Sequence, residues 1–255
     1  MSAAEGPAPA VPVEASVEQN SVALGLARVR ERIRLAAERH GRDPAEIRLL
    51  AVSKRQPSEK IRAAYSAGQR DFGENYAQEL LAKQAELADL PDLRFHMIGQ
   101  LQRNKCAALA GVVSAVHSVD SVRLARELGR RAARAPVAAG RRLHPSGRLV
   151  VFIEVNLGGE AQKGGCTPEQ LPELIAAVAA EPALLLNGLM AIPEGGGEPD
   201  ASRLAFRALN ALRDEQGGAA LLPHFSIGMS RDLEVSVECG SSWVRVGTDI
   251  FGARA

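Results

Sequence analysis

Short apolar runs alternating with helical stretches constrain this sequence most. Eight such runs can be counted: 48–53, 71–72, 93–98, 112–117, 149–155, 184–192, 225–227 and 243–246. Helical spacing of apolar residues fills the gaps. Pro57 opens a stretch with Ile61, Ala64 and Tyr65 on one face, closed by Gly68. Further helical patterns span 74–90, 121–134, 168–180 and 203–216. Strands separated by helices are joined by crossovers and so pair in parallel. Eight repeats in about 235 residues fit a single α/β domain closed as a (β/α)8 TIM barrel. The alternative is an open, doubly wound sheet. Ahead of the first run, Val22, Leu26, Val29, Ile33 and Ala36 recur every three or four residues until Gly41, which predicts an extra N-terminal helix starting at Ser21.

The chain has 255 residues and a formal net charge of +1, which gives no overall field for nucleic acid. No apolar run approaches the roughly 18 residues of a membrane helix, and the N-terminus lacks the pattern of a secretory signal. Neither nucleic acid nor membrane is an expected partner. Three cysteines (Cys106, Cys166, Cys239) without a C-x-x-C pair exclude a disulfide scaffold and a thiolate zinc site. They fit a reducing cytoplasm and read as buried small hydrophobes, Cys166 being the candidate for reactivity. The five histidines show no metal-ligand spacing, and no metal is expected. Residues 1–17 hold three prolines and little large apolar mass, which predicts a disordered tail before a barrel domain over 18–255. The Arg/Ala-rich stretch 131–148 reads as a mobile surface loop. Dinucleotide, P-loop, zincin and nucleophile-elbow motifs are absent, and Gly195-Gly196-Gly197 reads as a flexible loop.

Barrel active sites stand at the C-terminal ends of the strands. The first strand ends at Ser53-Lys54, and the period of two places Leu50, Val52 and Lys54 on one face. Facing inward, Lys54 would hold an amine over an apolar core, where desolvation favours the neutral form that makes a Schiff base. Taken alone, such a lysine reads far more readily as one that snorkels to water at a strand end. After the second strand, Asn75 can reach the site and Glu74 suits the start of the next helix. His96 on the third strand is either a ligand contact or a hydrogen-bonded interior histidine. Loops after strands seven and eight of many barrels bind phosphate. Here they carry Ser226, Ser230 and Thr248 hydroxyls, with Gly228 and Gly247 opening the backbone. A lysine opposite phosphate donors suggests an aldehyde with a phosphate arm, pyridoxal 5′-phosphate being the obvious one. Arg245 would then face the pyridine nitrogen and disfavour its protonation, unless it pairs with Glu154 or Asp249 inside the barrel.

Seven segments together resemble a known family. They are Ala51-Val52-Ser53-Lys54, residues 72–79 (FGENYAQE), residues 95–105 (FHMIGQLQRNK), residues 116–120 (VHSVD), residues 188–193 (GLMAIP), residues 226–232 (SIGMSRD) and residues 244–254 (VRVGTDIFGAR). In that order they are similar to the pyridoxal phosphate homeostasis proteins, from about Leu24 to Arg254. The resemblance implies a barrel like the N-terminal domain of alanine racemase and a Schiff base from Lys54 to the cofactor. It further implies phosphate contacts from Ser226, Met229 (by its backbone), Ser230, Gly247 and Thr248, a ring-nitrogen contact from Arg245, and Asn75 and His96 lining the cofactor. Such proteins are regarded as carrying and buffering cofactor, with effects on vitamin B6 and amino-acid balance and no established catalysis. Apoenzymes that use the cofactor are the implied recipients, and a monomer or weak dimer is expected.

Departures from the family pattern fall in loops. Residues 156–165 (NLGGEAQKGG) keep the family skeleton, residues 193–197 are looser, Ile227 stands where the family often has Met, and the stretch before Leu149 is longer. The competing reading is an amino-acid racemase of the same barrel type. Such enzymes add a β-rich domain and a tyrosine base, whereas this chain ends at Ala255 and has only Tyr65 and Tyr76.

Overall fold

The computed structural model describes residues 13–136, 144–159, 164–194 and 197–253. Its strands are β1 (Arg48–Val52), β2 (Asp71–Glu74), β3 (Arg94–Met97), β4 (Ala115–Val119), β5 (Leu149–Glu154), β6 (Leu184–Met190), β7 (His224–Ser226) and β8 (Trp243–Val246). All pair in parallel with their sequence neighbours, and β1 pairs with β8 to close an eight-stranded barrel. The α/β barrel expected from the alternation is what forms, and the open sheet is excluded. Helices α1 (Val13–Arg39), α2 (Ser58–Ser66), α3 (Ala77–Glu86), α4 (Cys106–Leu109), α5 (Val122–Ala132), α6 (Leu171–Ala179), α7 (Pro199–Glu215), α8 (Leu233–Glu238) and α9 (Thr248–Phe251) surround it.

The period of two sorts each strand into an inner and an outer set. Leu50, Ala115, Val150, Phe152, Met190 and Trp243 pack together inside the barrel. The intervening residues, such as Leu49, Ala51, Phe72 and Val151, join the helices in the larger apolar layer. Both layers are fully buried, so the strands read as continuous apolar runs.

Two boundaries differ from the sequence reading. Helix α1 starts at Val13 and takes in residues assigned to the tail, because the prolines end at Pro12 and no Gly or Pro follows until Gly25. Residues 1–12 lie outside the described part. Strand β4 starts at Ala115 because the Val112 and Val113 amides still close a helical turn on the Leu109 carbonyl, at 2.9 and 3.0 Å. The expected loop 131–148 begins inside α5, and 137–143 lie outside the described residues.

The added helix α1 packs on α2, α8 and α9. Gly25 makes the approach possible, since a Cβ there would come within 2.7 Å of the Ile250 carbonyl oxygen. From the same helix Arg32 reaches Glu234 (2.8 Å), Asp249 (2.7 Å) and the Ser230 carbonyl (2.8 Å). One guanidinium thus ties together the loops that follow β7 and β8. Among the described residues, no helix is long and apolar enough to cross a membrane.

Candidate cofactor-binding site

A cavity of about 230 Å³ opens at the C-terminal ends of the strands, with Val52, Lys54 and Asn75 on one wall and Met229, Ser230, Gly247 and Thr248 on the other. Arg245 contributes from β8, and Ile98 and Ile192 supply apolar surface. The inward direction expected of Lys54 is therefore the one found.

The segment carrying Lys54 is held on both sides. Before it, the Ser53 hydroxyl donates to Glu74 Oε1 (2.6 Å) and Lys83 Nζ donates to the Ser53 carbonyl (2.6 Å). Behind it, the Arg55 amide donates to Glu79 Oε1 (2.5 Å). Lys83 of α3 also bonds Glu74 and Glu79, at 2.7 Å each. Arg55 has φ +57°, a left-handed conformation that costs a non-glycine residue of order 1 kcal/mol or more. These anchors over-determine the turn and fix where Lys54 leaves the strand. Glu74 does not start a helix as the sequence suggested. It ends β2 facing outward, wholly buried, with Lys83 as its counter-charge.

Asn75 follows β2, and its Oδ1 is buried without a hydrogen-bond partner. Gln56 Oε1 is in the same state on the same cavity wall. Gly99 lets the next loop lie against Asn75, since a Cβ there would come 2.4 Å from the Asn75 carbonyl oxygen. Buried polar atoms without partners are rare in folded proteins. Both residues contribute to the cavity lining.

Arg245 is buried, and its Nη1 donates to the Ser226 carbonyl and to Ser226 Oγ (2.9 Å), while Nη2 donates to the Ala191 carbonyl (3.1 Å). Burial lowers its pKa to about 10, opposed by the fields of Glu154 and Asp232, so it stays a cation at neutral pH. It forms an ion pair with neither suggested partner. Asp249 is taken by Arg32, and Glu154 acts on Arg245 only through its field.

Two expected contacts do not reach the cavity wall. His96 is fully buried, with Nε2 at 3.0 Å from Asp71 Oδ1 and Nδ1 at 3.0 Å from His117 Nε2. Ser226 is fully buried too, its hydroxyl 2.8 Å from His117 Nδ1 and engaged by Arg245. Both form a polar layer beneath the cavity rather than its lining. The Met229 amide, expected to hold phosphate, donates to Asp232 Oδ1 (2.6 Å). Burial pushes the Cys166 thiol up to about 12 and Cys106 up to about 11, so neither is a reactive thiolate. Tyr76 is exposed, with the Arg55 guanidinium 5.9 Å above its ring, and neither it nor Tyr65 lines the cavity. Among the described residues no cluster of His, Cys, Asp and Glu fits a metal ion.

Sequence reasoning missed Gln56, Ile98, Ile192 and Arg231 on the cavity wall. Ile98 was within reach, since it shares the inner parity of His96. The others stand on loops, where no periodicity marks them.

Residues 24–255 match the family described as "Alanine racemase, N-terminal domain". The pyridoxal phosphate homeostasis protein of Pseudomonas aeruginosa is 48% identical over 92% of this chain and 96% of its own length. The chain belongs to the pyridoxal phosphate homeostasis protein family. Among solved structures, PipY of Synechococcus elongatus with pyridoxal phosphate bound superposes with a TM-score of 0.74 at 34% identity, covering 91% of this chain and all of PipY. Alanine racemase of Corynebacterium glutamicum superposes at 0.62 with 16% identity, over 92% of this chain and 62% of the enzyme, which shows a shared fold alone. Within the homeostasis family, this chain places Lys54, Arg245 and two hydroxyl donors around one cavity.

Proposed function

We infer that this protein binds pyridoxal 5′-phosphate in the cavity and carries and buffers it for cofactor-dependent apoenzymes, without a catalytic turnover of its own. The observation that carries the reading is the convergence on one cavity of Lys54 from β1 with Arg245, Ser230 and Thr248 from the two closing repeats. The residues suit the group in a second respect. Asn75 and Gln56, each with a buried oxygen that lacks a partner, share the lining with Lys54, and Ile98 and Ile192 add apolar surface. When bound, the cofactor supplies an aldehyde that condenses with an amine and an aromatic ring that draws electrons.

The roles of the chain's own groups follow. Lys54 offers the amine. The Ser230 and Thr248 hydroxyls and the backbone at Gly247 would hold the phosphate, and the Met229 amide, bonded to Asp232, would join them if Asp232 yields it. Arg245 stays charged in its buried setting and would face the ring nitrogen, where its charge would disfavour protonation of that nitrogen. An electron sink of this kind is weak. With neither tyrosine at the cavity, no second acid–base group of racemase type stands across from Lys54 among the described residues. The free thiols accord with a reducing, cytoplasmic setting.

The test is the absorbance spectrum of the protein before and after borohydride, with peptide mapping of the reduced product. Visible absorbance that borohydride bleaches, with the label on Lys54, is expected, and Lys54→Ala is expected to lose both while keeping its fold. An intact band in that variant would remove Lys54 from the site. Rapid exchange of α-deuterium from alanine would replace the carrier reading by the racemase one.

A further inference from the structure

Beneath the cavity runs an unbroken line of buried polar groups that the cofactor contacts do not require. Asp71, which opens β2, takes two bonds from Arg94 at 2.7 and 2.8 Å and lies 3.0 Å from His96 Nε2. His96 Nδ1 lies 3.0 Å from His117 Nε2, His117 Nδ1 lies 2.8 Å from Ser226 Oγ, and Ser226 Oγ lies 2.9 Å from Arg245 Nη1. Trp243 and Phe152 pack against the two imidazoles and keep the line dry.

The ends of this line fix the proton positions along it. Asp71 is a carboxylate: burial raises its pKa, but the bonds from Arg94 and His96 outweigh this and hold it well below the usual range. It therefore accepts from His96 Nε2–H. His96 then accepts at Nδ1 from His117 Nε2–H, and His117 accepts at Nδ1 from the Ser226 hydroxyl. Ser226 Oγ in turn accepts from the guanidinium of Arg245, which can only donate. Every donor points away from the cavity. Doubly protonating either imidazole would leave the Ser226 proton facing a donor on each side. Burial is the largest cause that drives the His117 pKa far down, in keeping with a neutral ring.

We propose that Asp71, His96, His117 and Ser226 form a one-directional relay that positions the Arg245 guanidinium, so that its remaining N–H groups stay aimed at the ring nitrogen of the bound cofactor. The proposal rests on the cofactor reading above and deepens it. These four are positioning residues, since none of them lines the cavity.

Two measurements test it. Histidine 15N spectra of the cofactor-free protein are expected to show His96 and His117 both protonated at Nε2 only, a readout that needs neither a variant nor the cofactor. In the loaded protein, Ser226→Ala is expected to weaken cofactor binding about three- to ten-fold and to shift the visible band, and Ser226→Thr, which restores the hydroxyl, to reverse both. An Nδ1–H tautomer or an imidazolium at either histidine would overturn the proposal. So would Ser226→Ala with unchanged affinity and band. Wild-type protein that shows the expected tautomers but takes up no cofactor would sink the cofactor reading itself, and the positioning role with it.

Discussion

Replacing Glu154 by Gln tests the electrostatics of the barrel mouth. Glu154 ends β5 on the inner face and is only 9% exposed. Burial pushes its carboxyl from 4.5 up to about 7, against the favourable field of Arg245. A folded pKa above the unfolded one means that the native state holds the proton more tightly. The resulting stability is complete below about pH 4.5 and is lost as the pH climbs to 7. At about 1.4 kcal/mol per pH unit, the interval from 4.5 to 7 amounts to about 3 kcal/mol. Glutamine has nearly the same shape and does not ionise, so the Glu154→Gln variant escapes this loss. Urea unfolding of the cofactor-free wild type and variant, measured in steps from pH 4.5 to 8, isolates the effect, because titrating groups that do not interact with Glu154 cancel in the difference. The variant's advantage should grow by about 3 kcal/mol across that range, or about 6–12 °C in Tm. A difference that stays flat with pH would refute the reasoning, because it would mean that the carboxyl titrates as if in water.

Two further substitutions probe the frame around Lys54 and the barrel wall. Lys83→Met strands the Glu74 carboxylate, which is fully buried and has this lysine as its counter-charge. A loss of about 3–5 kcal/mol in urea unfolding is expected, and a change below about 1 kcal/mol would mean that Glu74 is protonated in the fold. Gly188→Ala should abolish soluble expression or lower Tm steeply. Its φ of +149° is disfavoured for alanine, and the added Cβ would fall 1.7 Å from the His224 carbonyl oxygen, a backbone atom that cannot move aside.

The barrel was legible because its strands are buried on both faces and its helices are not. Apolar runs and helical stripes therefore alternate in the sequence itself. Lys54 was legible for a related reason: it continues the inner parity of Leu50 and Val52 past the strand end. Where one pattern ran into another the reading slipped, as at Val112 and Val113, which are as apolar as a strand but close a helical turn. What stayed hidden was long-range. Ser226 and His117 are 109 positions apart, and only barrel closure brings them together. In the sequence each is an isolated polar residue, so the reading of Ser226 as a ligand contact and the two readings of His96 cannot show that His117 links them. Glu74 misled in the same way, since its partner Lys83 is visible only once α3 lies across β2.

The seam between β1 and β8 has a consequence for how the chain reaches its native state. Those strands join residues nearly two hundred positions apart, and α1 docks on α8 and α9 across a similar interval. Closing so long a loop costs entropy before any contact repays it. During synthesis α2 follows α1 early, but the surfaces of α8 and α9 that complete the burial of α1, whose buried face carries Val22, Leu26, Val29 and Ile33, are made last. The nascent chain therefore carries a partly covered apolar stripe until α8 and α9 are made, and holding factors that shield apolar helices should raise its yield.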